Sequence, residues 1–236
     1  MALLDFLVPI AKRLVFRTVV PAGPVRHVYR LLHEGQVLGR EAYEWGWRAL
    51  VATPTFLSYC ERHGDGISVD IVPYIIAPCR IELGSNIRIS GKICISGVRG
   101  RRSLLRIGDG VFIGHGTSFT VASRIELGNY VGIGGGSFIT DTEGHDKHTG
   151  QLKPAWEAPA GEDDIAPVII EDGVWIGRHV AILKGVRIGA RSIIGYGAVI
   201  RSDVPPDSVV AGNPARVIPP SMLRPRGAAR PTSPSG

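Results

Sequence analysis

Residues 170–201 read IEDGVWIGRHVAILKGVRIGARSIIGYGAVIR. An aliphatic residue returns at every sixth place, at Ile170, Ile176, Ile182, Ile188, Ile194 and Ile200, and Val174, Val180, Val186 and Ala198 stand four places behind the leading residue. A period of six fits neither the 3.6 of a helix nor the 2 of a sustained strand. It fits a very short strand followed by a turn, with the aliphatic side chain pointing inward and a small residue letting the backbone bend. Strands this short cannot bury a face alone and must stack on the coil below. The expected fold is an all-β solenoid, a parallel β-helix with three blocks, or 18 residues, per coil.

The pattern extends upstream through Leu83, Ile89 and Ile95, then Ile107, Ile113 and Phe119, then Leu127, Ile133 and Ile139. Fifteen blocks make five or more coils, about 24 Å of prism at ~4.8 Å per coil. Three spacings break the period. Ile95 to Ile107 is twelve, which ejects about six residues around 99–104 as a basic loop; Phe119 to Leu127 is eight; Ile139 to Ile170 is 31, so some 25 residues leave the prism. Long loops on a rigid repeat scaffold tend to carry function, and the excursion over 140–169 is where chemistry is expected.

Composition agrees with this reading. The 236 residues include 31 Gly and 17 Pro, too many helix breakers for an all-α fold, and 44% of them are hydrophobic against 20% charged, which excludes a disordered chain. Three cysteines, Cys60, Cys79 and Cys94, at no metal-ligand spacing argue against a disulfide framework or a structural zinc site and for a reducing cytoplasm. The net charge of +6 owes half its value to a tail containing Arg224, Arg226 and Arg230. The basic clusters lack interleaved aromatics or a reading motif, so nucleic acid is not an expected partner.

Residues 1–66 form an N-terminal helical segment. The opening MALLDFLVPIAKRLVF is interrupted by Asp5, Pro9, Lys12 and Arg13, too short and too charged to span a bilayer. It reads either as a helix packed on the protein or as an amphipathic peripheral contact with the inner face of the membrane. Residues 25–50 have helical apolar spacing, the β-helix is expected over 67–218, and the Pro-rich end, 219–236, is expected to be disordered.

The loop begins Ile139-Thr140-Asp141-Thr142-Glu143-Gly144-His145 and rejoins at Glu171-Asp172-Gly173-Val174-Trp175-Ile176-Gly177; near the end stands Val210-Ala211-Gly212-Asn213-Pro214-Ala215-Arg216-Val217-Ile218. Together these resemble the hexapeptide-repeat, left-handed β-helix acyltransferases, in particular the sugar and polysaccharide O-acetyltransferase branch that includes galactoside, maltose and xenobiotic acetyltransferases. The left hand comes from this resemblance; crossovers in general are right-handed in about 98% of cases. The resemblance implies a homotrimer with each site between two subunits, acetyl-CoA as donor, and a sugar, glycan or lipid-linked saccharide as acceptor.

It also aligns His145 with the catalytic histidine. A hydroxyl is a poor nucleophile until its proton is taken, and imidazole titrates nearest neutral pH. Asp141 or Glu143 is placed to orient the other ring nitrogen, or both are loop acids facing water. The resemblance implies donor contacts at Trp175, Gly177, Arg178, Gly195, Tyr196, Arg201 and Arg216, with a backbone N–H near Gly177-Arg178 meeting the oxyanion. Arg178, Lys184, Arg187, Arg191, Arg201 and Arg216 outnumber nearby acids, which suits a polyanion or a solvated basic face. No metal is expected. The competing readings are a γ-class carbonic anhydrase, with His115, His145 and His179 as candidate ligands, and a non-catalytic scaffold subunit.

Overall fold

The computed structural model describes residues 23–144 and 161–222. Two compact units divide between Trp45 and Gly46. Most of helix α1 (Pro24–Trp47) belongs to the first, and its Val28, Leu31, Leu32 and Leu38 are exposed. Among the described residues no helix is long and apolar enough to cross a membrane. The opening segment with its candidate membrane contact, and the tail from residue 223, lie outside the described residues.

The second unit opens with a π-turn (Arg48–Ala52) and helix α2 (Thr53–Leu57), which bury Ala52 and Phe56 completely. The Thr53 hydroxyl accepts the Val69 N–H at 3.0 Å, and Arg48 Nε stands 3.3 Å from the Asp70 carboxylate. These contacts fix the turn of helix to the first coil.

From there the chain winds through three parallel sheets. The first face stacks β1 (Ser68–Val69), β4 (Arg88–Ile89), β7 (Phe112–Ile113), β10 (Gly132–Ile133), β13 (Trp175–Ile176), β16 (Ile193–Ile194) and β18 (Val209–Ala211). The second stacks β2 (Tyr74–Ala77), β5 (Cys94–Gly97), β8 (Ser118–Val121), β11 (Phe138–Thr140), β14 (Ala181–Ile182) and β17 (Val199–Ile200). The third stacks β3 (Arg80–Leu83), β6 (Leu104–Ile107), β9 (Arg124–Leu127), β12 (Val168–Ile170) and β15 (Arg187–Ile188). β19 (Arg216–Val217) folds back antiparallel on β18 and ends the ladder. This is a parallel β-helix of about six coils, consistent with the left-handed class.

The sequence period becomes vertical register. Ile176 pairs with Ile194, 18 residues on; Ile113 pairs with Ile133 at 20, absorbing the two-residue excess; Ile133 pairs with Ile176 at 43, absorbing the long excursion. Inside, Ile89, Ile113, Ile133, Ile176 and Ile194 form one column at 0–1% exposure. Each such side chain gains about 1.5–3 kcal/mol from leaving water, a column no short strand could build alone. Corners are closed by polar side chains: Ser85 N–H donates to Asp109 Oδ1, Asp109 N–H to Asn129 Oδ1, and Asn129 N–H to Asp172 Oδ1, at 2.7–2.9 Å. The third face carries an ionic ladder centred on Glu82, whose carboxylate receives Arg62 at 2.7 Å and Arg106 at 2.9 Å.

Candidate active site

All three register breaks open on one edge of the prism. The basic loop joins β5 to β6, the two-residue excess joins β8 to β9, and the long excursion joins β11 to β12, so each lies at the corner between the second and third faces. Arg101 in the basic loop donates to Glu162 at the excursion's return, 2.9 Å. The three insertions are therefore gathered along one edge.

The stem of the excursion is closed by specific bonds. Thr142 bridges Ile165 antiparallel, Glu143 N–H donates to the Asp164 carbonyl at 3.0 Å, and Ala166 N–H donates to the Asp141 carbonyl at 2.9 Å. Asp141 is fully buried, and its carboxylate accepts three backbone N–H groups, from Ala122 at 2.6 Å, Ser123 at 2.7 Å and Arg124 at 2.6 Å. The expectation of a loop acid facing water is thereby overturned for Asp141, because an unpaired carboxylate this deep would be prohibitively desolvated. Burial pushes the Asp141 carboxyl up, against the pull of its N–H donors. Glu143 is exposed and stands 3.2 Å from Lys184 Nζ, which also donates to the Asp163 carbonyl at 2.8 Å. His145 follows two residues later and lies outside the described residues, as do His148 and the rest of 145–160.

The residues expected to hold the donor fall into two groups. Trp175, Gly177, Arg178, Gly195 and Tyr196 lie on the first face and its corner with the second. There Trp175 is exposed and its ring covers Gly132, since a Cβ at Gly132 would stand 3.3 Å from it. Tyr196 is exposed and meets His179 edge-on at 5.5 Å. Gly177 is required by close approach: a Cβ there would stand 2.8 Å from the Tyr196 backbone nitrogen. Its own N–H is already donated to the Ile194 carbonyl at 2.8 Å, so Gly177 is not the member of the Gly177-Arg178 pair with an N–H to offer.

Arg201 and Arg216 lie elsewhere, on the edge that bears the excursion. With Glu143, Lys184 and Ser202 they line a cavity of about 380 Å³. One coil thus presents Arg178 at one end of the second face and Lys184 at the other, and a single chain does not bring the two groups together. Two other members of the basic set are neutralised on the spot: Arg187 by Glu171 at 2.7 Å and Arg191 by Asp207 at 2.6 Å.

Lys184 and His179 are the residues that motif spacing undervalued. His179 occupies a left-handed backbone position, φ +56°, that glycine fills in neighbouring coils at Gly116, Gly136 and Gly197. His115 sits on the same corner, exposed. Among the described residues no three His, Cys, Asp or Glu side chains are grouped to hold a metal ion. Cys94 is half-buried on β5 with its Cα beside Ser118, away from the excursion.

Residues 167–202 match the family model of the bacterial transferase hexapeptide, six repeats. This stretch is similar to the bacterial transferase hexapeptide repeat. It contains Trp175, Gly177, Arg178, Gly195, Tyr196 and Arg201. Over 53 residues the chain is 55% identical to a 2,3,4,5-tetrahydropyridine-2,6-dicarboxylate N-acetyltransferase of Staphylococcus aureus, 22% of either protein. Over 58 residues it is 45% identical to another Staphylococcus aureus protein named as an acetyltransferase, 25% of this chain and 29% of the relative. The chain therefore spans less than a third of the length of these relatives. Among solved structures, AntD, an N-acyltransferase from Bacillus cereus in complex with dTDP and coenzyme A, superposes at a TM-score of 0.56 and 21% identity, covering 67% of this chain and 82% of its own. The polysialic acid O-acetyltransferase OatWY superposes at 0.51 and 20%, covering 74% and 88%. Both share the β-helix with this chain.

Proposed function

We propose that this protein is an acetyl-CoA-dependent O-acetyltransferase that acts as a homotrimer on a hydroxyl of a sugar, a glycan or a lipid-linked saccharide. The observation that carries this reading is the meeting of the excursion stem with the basic cavity. Glu143, two residues before His145, shares that cavity with Lys184, Arg201 and Arg216. Guanidinium and ammonium groups converging on one cavity suit the phosphates of coenzyme A. The transferase repeat over 167–202 supports the same reading.

In the proposed step the acceptor hydroxyl oxygen attacks the thioester carbonyl carbon while His145 takes its proton. The carbon–sulfur bond then breaks and His145 returns the proton to the departing thiolate. The Arg178 N–H faces the oxyanion, a donor of a kind worth about 3–4 kcal/mol in the transition state. Asp141 is a positioning residue: by gripping residues 122–124 it fixes the base of the loop that carries His145. The groups on opposite ends of the second face act together across a subunit boundary.

Acetyl-CoA at 100 times its Kd should stabilise the protein by about 2.7 kcal/mol, read as a rise in melting temperature. His145→Ala should lower turnover by about 10²–10⁴ while the β-helix circular dichroism is unchanged. A protein indifferent to acetyl-CoA would instead be a scaffold, and stoichiometric zinc with hydration of carbon dioxide would select the carbonic anhydrase reading.

A further inference from the structure

A second cavity opens on the same edge, on the N-terminal side of the excursion, with a volume of about 750 Å³. That is twice the basic cavity and within the range of small-molecule sites. One wall is apolar, built by Val72, Pro73, Ile75, Ile76, Ala77 and Ile81. The opposite wall is the basic loop, which contributes Arg101 and Arg102. Ile76 and Tyr59 line the mouth and are more than half exposed, an apolar surface a folded chain would ordinarily bury. Arg102 is exposed and makes no ion pair among the described residues, while Arg101 reaches Glu162 at the excursion's return.

The two described ends of the excursion thus border two cavities of different chemistry. Its outgoing stem, through Glu143, borders the basic one, and its return, through Glu162 and Arg101, borders the apolar one. Two substrates that meet at a residue on that loop need one cavity each. Under the function proposed above, the basic cavity takes the polyanionic donor.

We infer that the apolar cavity is the acceptor subsite, and that the acceptor is an anionic amphiphile: a saccharide joined through a phosphate to an aliphatic chain, the chain lying along Val72–Ile76 and the phosphate meeting Arg102. A free sugar would leave the apolar wall facing water, and a neutral glycolipid would leave the Arg102 guanidinium unmatched. The inference rests on the O-acetyltransferase reading for the word acceptor, but not for the binding site itself.

Binding is tested without acetyl-CoA, using the full chain and dodecyl phosphate below its micelle concentration, with dodecyl maltoside and dodecyltrimethylammonium as neutral and cationic probes. Calorimetry should give saturable binding of one dodecyl phosphate per subunit, weaker binding of the neutral probe and none of the cation. Arg102→Glu should weaken dodecyl phosphate by about tenfold or more through charge reversal. Ile76→Glu, at an exposed position, should do likewise without loss of fold. Cys79 lines the cavity, and burial pushes its thiol up, so alkylation is slow enough to follow by mass spectrometry. Dodecyl phosphate should slow it further at Cys79 and leave Cys94 unaffected. Equal binding of all three probes would overturn the inference, as would Cys79 reactivity that ignores the ligand. So would binding that appears only after removal of residues 1–22, which would make that segment the occupant, or subunit dissociation in Ile76→Glu, which would make the cavity an interface between copies. Failure of acetyl-CoA to stabilise the protein, with dodecyl phosphate still bound at Cys79, would remove the enzymatic reading and keep the site.

Discussion

At the scale of single residues, His179 is the position where backbone geometry and chemistry disagree. Its φ of +56° is left-handed, and the matching corner positions carry Gly116, Gly136 and Gly197. A side chain there costs roughly 1–2 kcal/mol, and what this one gains in return is an edge contact with the exposed Tyr196 ring. His179→Gly is therefore expected to raise the melting temperature by a few degrees, about 1 kcal/mol, and to lower kcat/KM, because the ring faces the corner shared by Arg178 and Tyr196. A melting temperature that falls would show that the ring packing outweighs the backbone cost. The resemblance carried by the repeat made the residues of this corner legible as expected donor contacts. It could not reveal that Arg201 and Arg216 stand on another edge, since which corner a residue occupies depends on counting coils through three insertions. Nor could it tell a buried Asp141 from a solvated one: its three partners are backbone N–H groups, 17 to 19 residues away in sequence, that carry no side-chain signature.

At the scale of elements, the ladder on the third face ties β3, β6 and β9 together by charge. Arg106 and Arg62 hydrogen-bond Glu82 and hold its carboxyl below the usual value of 4.5, against the opposing effect of burial. A carboxylate with a lowered folded value contributes stability that is fully present above 4.5 and lost as pH falls through the folded value. Glu82→Gln should therefore melt earlier than wild type near pH 7, and the two curves should converge as pH drops below 4.5. A gap that persists into acid would assign Glu82 a packing role instead of an ionic one. The strands themselves were readable from the aliphatic period from Leu83 onward, and each register break reappears as an insertion of the expected size. The first coil is marked more weakly: β1 and β2 lie in SVDIVPYIIA, inside the expected 67–218, where Val69 and Ile75 keep the spacing of six but no glycine marks the turn and the pairing with β5 shifts register between Ile75 and Ala77. That coil is held by the helical turn through Phe56 and Thr53, contacts that no repeat pattern encodes.

At the scale of the whole molecule, the separation of Arg178 from Arg216 becomes a statement about assembly. The two stand at opposite ends of the second face, Arg178 before β14 and Arg216 beside Lys184, which follows it. If both serve one acetyl-CoA, they come from different chains, and a closed ring of three subunits has three such meetings. Two variants, Arg178→Glu and Arg216→Glu, each reverse the charge of a side chain expected to meet the polyanionic donor and should each be inactive alone. Refolded together in equal amounts, they assort at random among trimers. Each boundary then has one chance in two of receiving an intact Arg178 from one side and one in two of an intact Arg216 from the other. Activity should return to about a quarter of wild type under cyclic symmetry. Mixed trimers, verified by mass spectrometry with one variant isotopically labelled, that remain inactive would mean that both arginines are needed from the same chain. The donor would then lie across the second face of a single subunit, and the site between subunits would have to be abandoned.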